Sequence, residues 1–163
     1  MNYIFDSSSL IYFGKIKLLD KIALLNGKKY IPKEVYREVI VKGKEREELE
    51  VDYIERLIKE EAFIIKEPSG IFNFVPFMSK ADLDVLSLAK ETKSIAIVDE
   101  IYASNLAEFY GIESHGSLYL IIKLVKEKLI VKKEAINCID KMISEGFYIS
   151  IEKYREILEI IDK

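Results

Sequence analysis

Asp6 closes the apolar run Tyr3–Ile4–Phe5, and Asp99 closes the run Ile95–Val98. A carboxylate at the end of a buried strand has two readings. It can cap the following helix, because Asp is a preferred N-cap. It can also face a ligand, because open α/β sheets bind ligands outside the carboxyl ends of their strands. Two more acids join them: Glu38, in the helical stretch after the second strand, and Asp82, in the helical stretch before the fourth. Capping accounts for Asp6 as well as function does, and Asp99 suits a cap for a helix beginning near Ile101. Glu38 suits one half of an exposed Glu34/Glu38 edge. Asp82 is harder to assign to scaffold. At about 100° per residue, Leu83, Val85, Leu86, Leu88 and Ala89 centre within roughly 10–20° of Asp82, and Asp84 lies about 200° away. The wheel places Asp82 toward the interior and Asp84 and Glu91 toward water. An ionised carboxylate aimed inward costs several kcal/mol unless it is paired, and the local sequence offers no basic partner. A bound cation would serve. Carboxylates converging at one sheet edge form a hard, all-oxygen site suited to Mg²⁺ or Mn²⁺. Zinc does not suit the chain, whose only histidine and only cysteine are His115 and Cys138. Both read as structural.

The elements that must position these acids follow from the pattern between them. Residues 2–6, 28–32, 63–67 and 94–100 have the short, continuously apolar character of buried strands, and 112–116 has it weakly. Residues 7–27 are helical, with Leu18, Ile22 and Leu25 in register and a break expected at Gly14. Pro32 suits the first turn of the next helix, which is expected to stop at Gly43. Residues 44–61 read as a charged helix with a Tyr53, Ile54, Leu57, Ile58 stripe. Residues 80–92 and 102–111 are helical, and two or three helices fill the remainder. Residues 68–79 have no period and read as a loop. Strands separated by helices of about 10 residues mean βαβ units. The expected fold is α/β, a three-layer α/β/α sandwich with a short, mostly parallel twisted sheet of about four to five strands and a helical C-terminal tail. All 163 residues are expected to form one domain, with a core over about 1–130 and C-terminal helices over about 131–163.

The totals exclude several classes. No apolar run reaches the ~20 residues of a membrane span, and the N-terminus lacks the basic start and apolar core of a signal peptide. One cysteine permits no internal disulfide. A cytoplasmic protein is expected. A net charge of −3 argues against a surface that grips nucleic acid all over.

Laid out in order, these blocks resemble the PIN-domain family, the VapC-like toxin ribonucleases and their archaeal relatives, over nearly the whole chain. YIFDSSSLI is similar to the family's opening strand, with the first acid at Asp6 and an accessory hydroxyl at Ser8. YIPKEVYREV resembles the second block and places the second acid at Glu38. ADLDVLSLA resembles the third, usually a Gly-Glu-x-Glu-Ala-Ile-x-Leu-Ala type run, with Asp82 as third acid and Asp84 as its polar neighbour. IVDE supplies the fourth acid, Asp99, with Glu100 as a helper. The stretches 110–130 and 146–158 resemble the tail of one prokaryotic subgroup. The sequence departs from the pattern at Asp82, where Glu is commoner, and at Ile97, where many relatives carry Thr or Ser. HGSLYL also replaces a more usual Gly-Thr-Leu-Gly.

The resemblance implies a PIN-like fold and a metal-dependent endoribonuclease. Asp6, Asp82 and Asp99 would hold Mg²⁺ or Mn²⁺, with Glu38 acting directly or through water, leaving 3′-hydroxyl and 5′-phosphate ends on RNA. It also implies a small antitoxin protein and a homodimer. A catalytically weak scaffold that binds RNA or protein is the alternative. For RNA beyond the site, Lys15, Lys17 and Lys21 cluster near the first acid, and Lys123, Lys126 and Lys128 lie on a late helix. Both groups read more readily as solvated helix faces. Phe72, Phe74 and Phe77 offer stacking surfaces, but such a loop more often packs on its own core or on a partner subunit. Phosphotransfer folds fit poorly. A haloacid-dehalogenase-like site needs an acid where Ser8 stands, and a receiver domain needs an acidic pair at the end of strand one.

Overall fold

Tyr3, Ile4 and Phe5 present apolar side chains to both faces of a strand, so the strand is stable only when both faces are covered. In the computed structural model, which describes residues 1–70, 72 and 75–163, all three are fully buried in β1 (Tyr3–Phe5). β2 (Lys29–Pro32), β3 (Ile64–Lys66), β4 (Ile95–Ile97) and β5 (Ser114–His115) join it. Among the described residues they form a five-stranded, wholly parallel sheet of order β3-β2-β1-β4-β5. The chain leaves β1 for β2 and β3 on one side, then returns to β4 and β5 on the other. The topological switch point therefore lies between β1 and β4, at whose carboxyl ends stand Asp6 and Asp99. Phe5 is in register with Ile97, and the Asp6 N–H extends the ladder by donating to the Ile97 carbonyl at 3.3 Å.

Helices cover both faces. α1 (Ser7–Lys15) and α2 (Leu19–Ala23) connect β1 to β2. α3 (Lys33–Tyr36), a π-helical turn over Arg37–Val41, α4 (Lys42–Glu45) and α5 (Val51–Lys59) lead to β3. α6 (Lys80–Thr92) precedes β4, and α7 (Ile101–Phe109) links β4 to β5. α8 (Ser117–Lys126), α9 (Lys132–Ser144) and α10 (Ile151–Asp162) complete the chain. The last three pack into the same apolar cluster as the sheet, through Leu120, Leu124, Ile139, Met142, Ile157 and Ile161. Cys138 is buried there as a small apolar residue. Among the described residues no helix is long and apolar enough to cross a membrane.

Two glycines behave differently from expectation. The break expected at Gly14 falls one residue later, where α1 ends after Lys15 and Lys17 turns the chain at φ 57°. Gly14 is a contact instead, because a Cβ there would stand 2.7 Å from Ile54 Cδ1 on α5. Nor does the next helix stop at Gly43, which lies inside α4 with Val51 Cγ2 pressed 2.5 Å from where its Cβ would be. In both cases the absent side chain admits α5 or its first residue, a tertiary demand that local breaker rules cannot register. The charged helix expected over 44–61 is regular only over Val51–Lys59, where Ile54 and Leu57 are buried.

The expected loop is partly packed. The Phe72 ring meets Tyr110 edge-on at 4.7 Å, and its N–H donates to Ser87 Oγ at 3.3 Å. Phe77 is 97% exposed. Phe74 lies outside the described residues. Of the lysines, Lys15 pairs with Glu145, Lys123 pairs with Glu127, and Lys17 lies over the Tyr53 ring. The buried Lys29 ammonium donates to the carbonyls of Ala23, Leu25 and Gly27, closing the end of α2.

Candidate functional site at the sheet switch point

Asp6 is both cap and buried acid. Its Oδ1 accepts the Ser9 N–H at 2.8 Å, capping α1, and the residue is 4% exposed. Burial pushes its carboxyl up to about 7, partly opposed by the Ser9 bonds and reinforced by the charges of Asp99 and Asp82. Asp99 does not cap α7 as expected; Glu100 does, with Oε2 accepting the Ala103 N–H at 3.1 Å. Asp99 instead reaches across to α8, accepting the Ser117 N–H at 2.7 Å and the Ser117 hydroxyl at 2.5 Å. Burial raises its pKa and those two bonds lower it. This reach needs Gly116, where a Cβ would lie 2.9 Å from Asp99 Oδ1.

Asp82 sits in the first turn of α6. Its N–H donates to Ser79 Oγ at 3.1 Å, and the Ser79 hydroxyl donates back to its Oδ2 at 2.9 Å, a reciprocal cap. Burial raises its pKa, and Glu38 and Glu100 raise it further. Asp84 and Glu91 do not face open water as the wheel placed them. Asp84 has a side chain only 13% exposed and pairs with Lys80 at 3.0 Å, while Glu91 accepts the Ser69 N–H at 2.6 Å. The reason is the placement of α6, which buries Ala81, Leu83, Val85, Leu86, Ser87, Leu88 and Ala89 and so has more than one covered face. The two acids still serve different surroundings. Asp84 lines a cleft with Lys33, Glu67 and Phe72, whereas Asp82 interacts with Glu38 and Glu100.

Glu38 lies in the π-helical turn, and its Oε2 accepts the Ser7 hydroxyl at 2.5 Å. Motif reading passed over Ser7 in favour of Ser8, which is exposed and makes no side-chain hydrogen bond among the described residues. It also passed over Ser79 and Ser117. Ser79 was legible, three residues before Asp82 in a capping-box spacing. Ser117 was not, because its bond to Asp99 spans 18 residues.

Asp6 thus feels Asp99 and Asp82, and Asp82 feels Glu38 and Glu100. Among the described residues none of the five forms an ion pair. Nor do any three of Asp, Glu, His and Cys among the described residues stand close enough together to clasp one ion. Each principal acid is turned toward a serine of its own, as mutual repulsion without a cation would favour. The donor set nonetheless fits a hard divalent cation, since every group is a carboxylate and each can offer lone pairs beyond those its serine engages.

No curated protein matches this chain. A domain of a functionally unknown protein from Methanocaldococcus jannaschii DSM 2661 is similar in structure, at 23% identity and a TM-score of 0.47, over 71% of this chain and 89% of that one. A family model described as a PIN domain matches residues 2–163. With that match spanning nearly every residue, and with the parallel sheet and helical C-terminus in place, the chain belongs to the PIN-domain family.

Proposed function

We propose that the chain is a metal-dependent endoribonuclease. PIN domains are generally nucleases. The observation that carries the finer reading is that Asp6 and Asp99 stand side by side at the carboxyl ends of β1 and β4, at the switch point, with Asp82 of α6 near enough for its charge to reach Asp6. Buried acids gathered where an open α/β sheet binds its ligands mark a functional-site candidate. Asp6, Asp82 and Asp99 would hold Mg²⁺ or Mn²⁺, with Glu38 acting directly or through water. When bound, the ion lowers the pKa of an attacking water and offsets charge on the scissile phosphate. The chain does the positioning. Ser117 holds the Asp99 carboxylate, Ser79 holds Asp82 and Ser7 holds Glu38, so each acid is kept in place until an ion would draw it inward. We further place the protein with the VapC-like toxins, as a cytoplasmic homodimer neutralised by a small antitoxin protein; a short open reading frame beside its gene would support that partner.

The alternative, an RNA- or protein-binding scaffold with little turnover, draws support from the acids not converging three at a time. One pair of measurements decides. At a hundredfold excess over its Kd, a cation that binds the folded state adds about 2.7 kcal/mol, so Mn²⁺ is expected to raise Tm by roughly 5–11 °C. Cleavage of a mixed-sequence RNA should require the same ion and stop with EDTA. A melting shift without cleavage would favour the scaffold, and no shift would overturn the metal site.

A further inference from the structure

We propose that a groove running from Asp99 between α7, α8 and α10 seats one unpaired nucleoside of single-stranded RNA, the residue flanking the scissile phosphate. This rests on the nuclease reading above and extends it to how the substrate is held. The groove has a volume of about 430 Å³, within the roughly 300–1,000 Å³ of small-molecule sites. Its walls are apolar, formed by Ile122 of α8, Ile157 of α10 and Phe147. One side is aromatic, where the His115 and Tyr119 rings stack at 3.9 Å and 8°. A base needs such a surface, because single-stranded RNA is recognised by stacking and by hydrogen bonds to exposed base edges.

The edge-reading groups stand on α7. Ser104 and Asn105 both line the groove, and their side chains make no hydrogen bond among the described residues. A carboxamide offers a donor and an acceptor side by side, as a base edge requires. Lys153, paired along its own helix with Glu156 at 3.2 Å, also lines the groove and brings a cation for the backbone phosphate. At one end the groove includes Asp99 itself, so a nucleoside seated here delivers its phosphate to the acids.

The test uses the full-length chain and four labelled RNA octamers, A8, C8, G8 and U8, bound with Ca²⁺ in place of Mn²⁺ and followed by fluorescence anisotropy. The four affinities are expected to spread by about tenfold, and Asn105→Ala should shrink the spread to within about threefold. Octamers carrying 4-thiouridine should cross-link to Tyr119 or Phe147. A spread that Asn105→Ala leaves unchanged, or cross-links only elsewhere, overturns the proposal. Asn105 is exposed, so its loss does not threaten folding. If the groove serves protein instead, Ile122→Glu will convert an oligomer to a monomer in light scattering while RNA affinity holds, and that result also overturns it. Cleavage by Asn105→Ala with unaltered base preference sinks the groove and leaves the nuclease standing. Base discrimination that depends on Asn105, in a protein that never cleaves RNA, supports the groove and sinks the nuclease.

Discussion

Asp82→Asn should abolish Mn²⁺-dependent RNA cleavage, by more than about a hundredfold, while Asp84→Asn keeps most of it. The substitution preserves shape. Asn still offers an oxygen to the Ser79 hydroxyl, so the first turn of α6 keeps its cap and only the charge is lost. The charge matters because Asp82 is the acid that couples the Asp6 side of the site to Glu38 and Glu100. Asp84 is two residues away and engaged elsewhere, by Lys80. Removing that i,i+4 pair, exposed at its Lys80 end and largely covered at its Asp84 end, should cost about 1 kcal/mol or less. Single-turnover cleavage on both variants, with their melting curves, checks this. Activity lost in Asp84→Asn and retained in Asp82→Asn would reverse the assignment of the third ligand.

Asp6→Asn should make the metal-free protein more stable at pH 8 than the parent. The Asp6 carboxyl has a folded pKa of about 7 against an ordinary 3.8. Between those values the folded chain keeps a proton that the unfolded chain has released. Stability therefore falls as pH rises from about 4 to 7, and the full penalty is present above 7. Three pKa units correspond to roughly 4 kcal/mol as an upper bound, or about 8–16 °C in Tm. Asn removes the charge while its carbonyl can still accept the Ser9 N–H. The gap between the variants should close by about pH 4–5. Saturating Mn²⁺ should reverse its sign at pH 8, because only the parent gains from the ion. Melting curves that stay parallel from pH 5 to 8.5 would mean Asp6 is not the strained acid.

The centre of the sheet was legible because β1 and β4 are short and apolar throughout, which leaves one reasonable environment for each. All five expected strands are present, and Asp6 and Asp99 stand at the carboxyl ends of β1 and β4. The legible part of the site was its list of acids, since strand ends and helix phase are local properties. What failed was whatever depended on a distant neighbour. Gly14 and Gly43 look like breakers until Ile54 and Val51 are seen pressing on them. Asp84 looks solvated on a wheel that assumes one buried face. The partner of Asp99 was assigned to the nearest helix, whereas the chain bends back to offer α8. Serines gave the least signal, because a hydroxyl next to an acid acquires meaning only from its rotamer and partner.

The bond between Asp99 and Ser117 has a consequence for how the molecule breathes. The amide at the head of α8 is closed by a carboxylate rather than by its own turn, so its opening is tied to the charge and freedom of one acid. Drawing Asp99 toward a cation, or protonating it, loosens that latch. The Ser117 amide should then exchange with deuterium faster than its neighbours in α8, and its exchange rate becomes a local gauge of what the acid is doing. Because α8 packs on α9 and α10, a loosening that spreads from Ser117 would carry the state of the site into the C-terminal third of the chain.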